Sequence, residues 1–293
     1  MSKFFGLKNY LSLVKFSHTI FAMPFAMLGF MIGTKTEYAD WDWPILLLVV
    51  LCMIFARSAA MAFNRYLDRD IDAKNPRTAV REIPAGVIAP KSAMIFTIAN
   101  CLLFVLTTWF INETCFYLSW VALAVVLGYS FTKRFTPLCH FVLGLGLALA
   151  PIGAFLAITN RFDLLPIMLG VAVFLWVSGF DIIYALQDEE FDKSQRLKSI
   201  PAYLGRENAL RLSEAVHAIC GVLVAFFVWK LSQGFDEVGA LSWAGVVFFW
   251  ALLFYQHFLI KPNDLSKVNL AFFTTNGIAS LVFCAIVIVD LIG

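Results

Sequence analysis

The amino-acid sequence predicts an all-α membrane protein: nine transmembrane helices surrounding a central cavity, with the N-terminus in the cytoplasm. Three observations predict it. Of 293 residues, 61% are hydrophobic and 14% are charged, whereas a soluble domain carries about 25% charged residues. The apolar residues gather in runs near or above the ~18 that read as a membrane-spanning helix. The basic residues collect on one side of those runs, which sets the orientation. Lipid offers the backbone no hydrogen-bond partner, so each run has to be helical.

The runs cover about 16–34, 44–63, 92–111, 116–132, 138–158, 164–187, 209–232, 239–260 and 269–292. The first starts near Lys15 with no small-residue cleavage site behind it, and reads as a retained helix rather than a signal peptide. The second ends in NRYLDRDID, residues 64–72, and Asn75-Pro76 should stop the helix there. Asn112-Glu113 separates the third run from the short fourth, and Lys133-Arg134 separates the fourth from the fifth. The sixth ends in a second acidic stretch, DIIYALQDEEFD at 181–192. With the N-terminus inside, only Lys35, Arg161 and Lys230 of the 22 Lys and Arg fall on the opposite side, and Arg57 lies within the second span. An odd number of spans leaves the C-terminus outside.

No low-complexity linker divides the chain, which reads as a single integral-membrane domain over 1–293. Cys52, Cys101, Cys115, Cys139, Cys220 and Cys284 are scattered through apolar segments without a C-x-x-C pair. They read as small core residues rather than metal ligands or a disulfide framework. No basic stripe points to nucleic acid. The pattern fixes no oligomeric state.

Helical spacing decides which acids cooperate. Four residues advance about 400°, so Asn64, Asp68 and Asp72 form one stripe rising roughly 12 Å, with Asp70 turned away. Asp181 and Asp188 are seven apart and agree within about 20°. Asp192 follows by four, so the three form a second stripe, with Tyr184 at its edge and Glu189 and Glu190 to the side. Carboxylates are hard oxygen ligands, and Mg²⁺ is commonly held by one or two of them plus substrate phosphates. The plainer alternative is solvated acids at helix ends. Two stripes on the same membrane side, each followed by basic residues, favour the metal–diphosphate reading. Asp181 adds to it, because a carboxylate inside the bilayer boundary needs a partner or a function.

YSFTKRF, 129–135, places Tyr129 and Lys133 on one face. Lys133 and Arg134 could neutralise diphosphate oxygens or simply anchor the helix on the positive side. Arg77 and Arg81 behind the first stripe, and Lys198 behind the second, are candidates of the same kind. Arg57 is seven before Asn64, hence on its face and roughly 10 Å deeper. A buried Arg needs a partner, either Asp181 or the carboxylate of a bound substrate. Lys15 and His18 at the mouth of the first helix are further aromatic-substrate candidates. His140, His217 and His257 have no ligand spacing and receive no role.

These residues resemble the UbiA superfamily of intramembrane prenyltransferases. Asn64, Asp68 and Asp72 match its N-x-x-x-D-x-x-x-D motif. Asp188 and Asp192 match the second Asp-rich motif, Asp181 stands at the family's upstream acid, and Tyr129 and Lys133 match a Y-x-x-x-K element. The resemblance covers nearly the whole chain. RTAVREIPAGVI (77–88) and the stretch 181–205 look like the 4-hydroxybenzoate polyprenyltransferase branch, and closer still to its menaquinone-pathway relatives of the futalosine route. Haem O and chlorophyll synthases look more distant. A transporter would show paired broken helices rather than carboxylates gathered at one face.

The resemblance implies a nine-helix enzyme of the cytoplasmic (inner) membrane, its site facing the cytoplasm. It implies Mg²⁺ on Asp68, Asp72, Asp188 and Asp192, binding the diphosphate of an allylic polyprenyl donor. Asn64 would orient a ligand or the diphosphate, and Lys133, Arg134 and Arg77 would take up charge as diphosphate leaves. An aromatic acid such as 4-hydroxybenzoate would attack the allylic cation, with Asp181 steadying the cation or accepting the ring's proton. The product would feed ubiquinone or menaquinone synthesis. GLGLALAP (144–151) either leaves room for the isoprenoid tail or permits close helix packing.

Overall fold

The computed structural model describes residues 2–14 and 21–293. A short first helix, α1 (Ser2–Leu13), is followed by α2 (Met23–Thr34), α3 (Trp43–Leu67) and one turn, α4 (Arg69–Asp72). Then come α5 (Pro90–Trp109), α6 (Glu113–Thr132), α7 (Cys139–Thr159), α8 (Leu164–Ala185), α9 (Glu189–Ser194), α10 (Ile200–Gly234), α11 (Ala240–Leu259) and α12 (Asn276–Ile292). Among the described residues, eight helices have the length and apolarity to cross a membrane. The first expected span overlaps the 12-residue α2, and its earlier part, with Lys15 and His18, lies outside the described residues.

The polar breaks in the sequence act as helix caps. Asp42 accepts from the Ile45 N–H at 3.0 Å to start α3, and Asn112 accepts from Cys115 at 2.8 Å to start α6. Asp163 caps α8 through Leu165 at 2.9 Å. Each supplies an acceptor to an N–H that the helix itself cannot pair. Thr159 hands over to Asn160, whose φ of 54° ends α7. The seventh span starts earlier than the apolar pattern indicates. Ser199 caps α10, and Gly205, at φ 77°, breaks it internally, a conformation that glycine adopts without a Cβ clash.

Buried apolar clusters hold the helices. Trp176 of α8 is fully buried at the centre of the largest, against Phe25 of α2 and Phe249 of α11. Its indole N–H donates to Asn276 Oδ1 at 3.0 Å. Asn276 in turn donates to the Ala271 and Phe272 carbonyls at 3.0 and 3.1 Å, satisfying the π-helical turn Leu270–Thr275 that leads into α12. A second cluster joins α2, α3 and α7 through Phe30, Val49 and Ala154. Another seats α1 by Leu13 on Ala62 of α3, Ile83, Ile88 and Ala93 of α5.

Candidate active site

The first acidic stripe keeps its predicted face. Backbone hydrogen bonds run on through the α3–α4 junction, with Asp68 N–H to Asn64 O at 2.9 Å and Asp72 N–H to Asp68 O at 2.7 Å. Asp68 and Asp72 are buried, while Asp70 is exposed and meets only Arg69 at 3.7 Å. Asn64 donates to Asp68 Oδ2 at 3.2 Å and to Ser130 Oγ at 3.4 Å. Lys133 pairs with Asp68 Oδ2, and Arg134 with Oδ1 at 2.8 Å. Arg81 holds both oxygens of Asp72 at 2.7 and 2.9 Å.

The second stripe departs from a straight helix. After Ala185 the chain tightens into a 3₁₀ turn, Leu186–Asp188, before α9. A 3₁₀ residue turns about 120° instead of 100°, so three of them rotate the next helix by roughly 60°. Seven residues then advance about 760° instead of 700°, so Asp188 moves from about 20° to about 40° off Asp181 and the two stay near one face. Asp188 receives Asn75 Nδ2 and Arg77 Nε, each at 3.0 Å, and pairs with Arg77 Nη2. Arg77 Nη1 donates to the Tyr184 hydroxyl at 3.1 Å. Burial acts to lower the Arg77 pKa, but hydrogen bonding and charge from Asp188, with Tyr184, raise it above its ordinary value. Asp192 accepts from Ser199 Oγ at 2.7 Å and lies within electrostatic range of Asp188, Lys133 and His140.

Asp181 is engaged by His140, whose Nδ1 lies 2.7 Å from Oδ2. This corrects two sequence expectations. His140 has a specific partner, and the Arg57–Asp181 pair is not formed. Arg57 Nε is buried with no hydrogen-bond partner among the described residues. Lys198 points its ammonium at the Phe135 carbonyl, 3.2 Å away, while its N–H donates to Lys133 O at 2.7 Å. Glu189, set to the side in the sequence reading, is buried between Lys193 and Arg206. Arg65 is a second buried guanidinium with an unpartnered Nε.

The two stripes are thus brought together by cross-links: Asn75 and Arg77 to Asp188, and Lys133 O to Lys198. An apolar cavity of about 440 Å³ lies between α3, α6 and α7. Arg57 and Tyr129 line it along with Cys52, Cys115, Gly146 and Leu147, and Arg57 and Tyr129 interact electrostatically. From Tyr129 to Cys115 it follows fourteen residues of α6, roughly 21 Å. GLGLALAP both borders the cavity and packs closely against a neighbouring helix. Gly146 and Ala150 line the cavity, while Gly144 lies against the Phe174 carbonyl and Ser178 of α8.

The donor set fits a hard divalent cation, since Asp68, Asp72, Asp188 and Asp192 offer carboxylate oxygens only. Among the described residues no three His, Cys, Asp or Glu side chains stand close enough to enclose an ion. Each carboxylate is instead balanced by Lys133, Arg134, Arg81, Arg77 or Ser199. Such a set suits an ion that takes the rest of its shell from a ligand's oxygens.

Residues 22–278 match the model of the UbiA prenyltransferase family. The chain belongs to the UbiA prenyltransferase family. It is similar to a 4-hydroxybenzoate octaprenyltransferase of Saccharophagus degradans, 31% identical over 251 residues, 86% of this chain and 82% of that one. Among solved structures it resembles the apo UbiA homolog of Aeropyrum pernix K1, with 30% identity and a TM-score of 0.83 over 93% of this chain and 98% of that one. The fold also matches a UbiA homolog of Archaeoglobus fulgidus bound to GPP and Mg²⁺, with 24% identity and a TM-score of 0.73 over 97% and 100%. This UbiA member is therefore a multi-pass membrane enzyme of prenyl transfer, of the 4-hydroxybenzoate polyprenyltransferase type.

Proposed function

We propose that this enzyme transfers a polyprenyl group from an allylic polyprenyl diphosphate to an aromatic acid such as 4-hydroxybenzoate. The reaction depends on Mg²⁺ and feeds ubiquinone or menaquinone synthesis. One observation carries the proposal: Tyr129, which lines an apolar cavity, lies within electrostatic range of Asp68 in the cluster of carboxylates and cations, and Arg57 in the same cavity has a buried Nε with no hydrogen-bond partner among the described residues. The A. fulgidus homolog's GPP and Mg²⁺ and the S. degradans relative's activity support it. The whole chain, 1–293, acts as a single domain with nine spans in the cytoplasmic membrane, its site facing the cytoplasm.

Asp68, Asp72, Asp188 and Asp192 would hold Mg²⁺, with Asn64 orienting Asp68 or the diphosphate. Bound Mg²⁺ supplies Lewis-acid withdrawal of charge from the diphosphate oxygens. Lys133, Arg134, Arg77 and Lys198, with Tyr129 beside them, stabilise the charge that develops on the leaving group. Fixed donors in a water-poor site suit this task, because they need no reorganisation as the bond breaks. The apolar walls of α3, α6 and α7 take the isoprenoid chain and keep water from the allylic cation. Arg57 receives the carboxylate of the aromatic acid as a bidentate pair. Asp181 accepts the proton that the ring loses. Lys15 and His18 remain candidates for the acceptor's entrance.

The test is prenyl transfer by purified protein in lipid. Activity should vanish with EDTA, return with Mg²⁺, and be absent in Asp68→Asn/Asp188→Asn. Activity that survives either treatment refutes the metal–diphosphate reading.

A further inference from the structure

We propose that His140 is a positioning residue for Asp181, fixing which carboxylate oxygen faces the reacting ring. His140 lies in the first turn of α7 and is buried. Its Nε2 accepts the backbone N–H of Ile200 at 3.3 Å. Ile200 opens α10, where N–H groups have no helical acceptor. A backbone N–H can only donate, so Nε2 carries the lone pair and the neutral ring bears its proton on Nδ1. That proton is donated to Asp181 Oδ2 at 2.7 Å. The hydrogen bond therefore holds Oδ2 and leaves Oδ1, which has no hydrogen-bond partner among the described residues. A fifth of the Asp181 side chain is accessible, against 4% for His140.

The imidazole is anchored at both ends. Ser199, just before Ile200, caps α10 and binds Asp192. Lys198, one residue earlier, is tied to Lys133. His140 thus links the Asp181 carboxylate to the segment whose Ser199 binds Asp192. It is an orienter and not a proton relay, because its Nε2 already accepts from Ile200 and has no route for passing a proton on.

The role rests on the reading of Asp181 as the ring's proton acceptor. In that reaction the donor's C–O bond breaks and its electron pair leaves with diphosphate. A π pair of the aromatic ring forms the new C–C bond. The C–H bond at that carbon then breaks, its electrons restoring aromaticity and its proton passing to Asp181 Oδ1. From there it passes to the solvent that reaches a fifth of the side chain. Oδ2, held by Nδ1–H, does not take part.

The test compares His140→Ala, His140→Asn, Asp181→Asn and the double variant His140→Ala/Asp181→Asn in the full-length enzyme. Asn places an amide N–H near the position of Nδ1–H, so it keeps the donor. His140→Ala should lower kcat by about 10- to 100-fold, the cost of a misplaced reacting group. KM for both substrates should stay within about twofold of wild type. His140→Asn should recover most of the rate, and the double variant should be no slower than Asp181→Asn alone. His140→Gln, whose longer amide misplaces the donor, replaces Ala should that variant not assemble. The proposal is overturned if the donor-deleted variant keeps kcat while Asp181→Asn is inactive. Equal losses in Ala and Asn, or multiplied losses in the double variant, also overturn it, because they mark packing alone. An Asp181→Asn enzyme with wild-type kcat would instead refute the underlying role of Asp181.

Discussion

Arg77 reaches from the loop behind the first acidic stripe to Asp188 of the second, its Nε 3.0 Å from Oδ1 and its Nη1 3.1 Å from the Tyr184 hydroxyl. One planar fork thereby joins two residues that are 111 apart in sequence. On the proposed function, that guanidinium is one of the charges that would meet the diphosphate.

Arg77→Lys should therefore be a poor substitute. It keeps the charge but loses the fork that engages Asp188 twice and Tyr184 once. The expected outcome is a fall of about tenfold or more in kcat/KM, matching the loss of a charge-assisted hydrogen bond at ~1.5–3 kcal/mol. Steady-state kinetics with the prenyl diphosphate varied would measure it. A lysine variant with wild-type kinetics would mean that Arg77 only braces the loop.

Arg57→Ala should raise KM for the aromatic acid by roughly 10- to 100-fold, the range for removing a charged hydrogen-bonding partner. KM for the diphosphate should change far less. Asp181 is committed to His140, so no carboxylate of the described chain answers Arg57. Equal effects on both substrates would point to a general packing defect.

The local spacings in the sequence carried much of this site. Asn64, Asp68 and Asp72 share a face because their helix continues almost unbroken across Asp68, so the four-residue interval kept its meaning. For Asp181 and Asp188 the 3₁₀ turn at Leu186–Asp188 changes the angular step within a single apolar run and shifts their relative angle by roughly 60°. No hydropathy pattern reports such a turn. The His140–Asp181 pair spans 41 residues and comes from the packing of α7 on α8, which spacing within one helix does not encode. A signal for it was present: a lone His at the membrane boundary, on the side that bears the acids. Asn112 located the break before α6 well, since a cap acts locally. The early start of α10 was hidden because Gly205 and the polar Arg206, Glu207 and Asn208 separate its first apolar turn from the long apolar run.

The core should be most sensitive at Asn276. Its side chain accepts from Trp176 Nε1 and donates to two carbonyls of the π turn. Asn276→Leu fills the volume but leaves a buried indole N–H and two carbonyls short of partners. Leaving such a group unpaired costs ~1–3 kcal/mol. A lower thermal unfolding midpoint in detergent is expected, while KM for both substrates in the surviving folded enzyme should be unchanged. Wild-type thermal stability would show that the π turn finds other partners.

The cavity itself can be tested with cysteines that the chain already has. Cys52 and Cys115 are free thiols on α3 and α6 and both line the apolar cavity, whereas Cys101 on α5 does not. If the isoprenoid chain lies there, its carbons cover both sulfurs along the ~21 Å of α6 between Tyr129 and Cys115. A long prenyl diphosphate with Mg²⁺ should slow alkylation of Cys52 and Cys115 by a membrane-permeant maleimide several-fold, and leave Cys101 unaffected, as read by mass spectrometry of labelled peptides. Inorganic diphosphate with Mg²⁺ occupies only the polar end and should protect neither. Protection of Cys101 as strongly as Cys52 would indicate a general tightening of the bundle. Unchanged labelling of all three would place the tail outside the cavity between α3, α6 and α7.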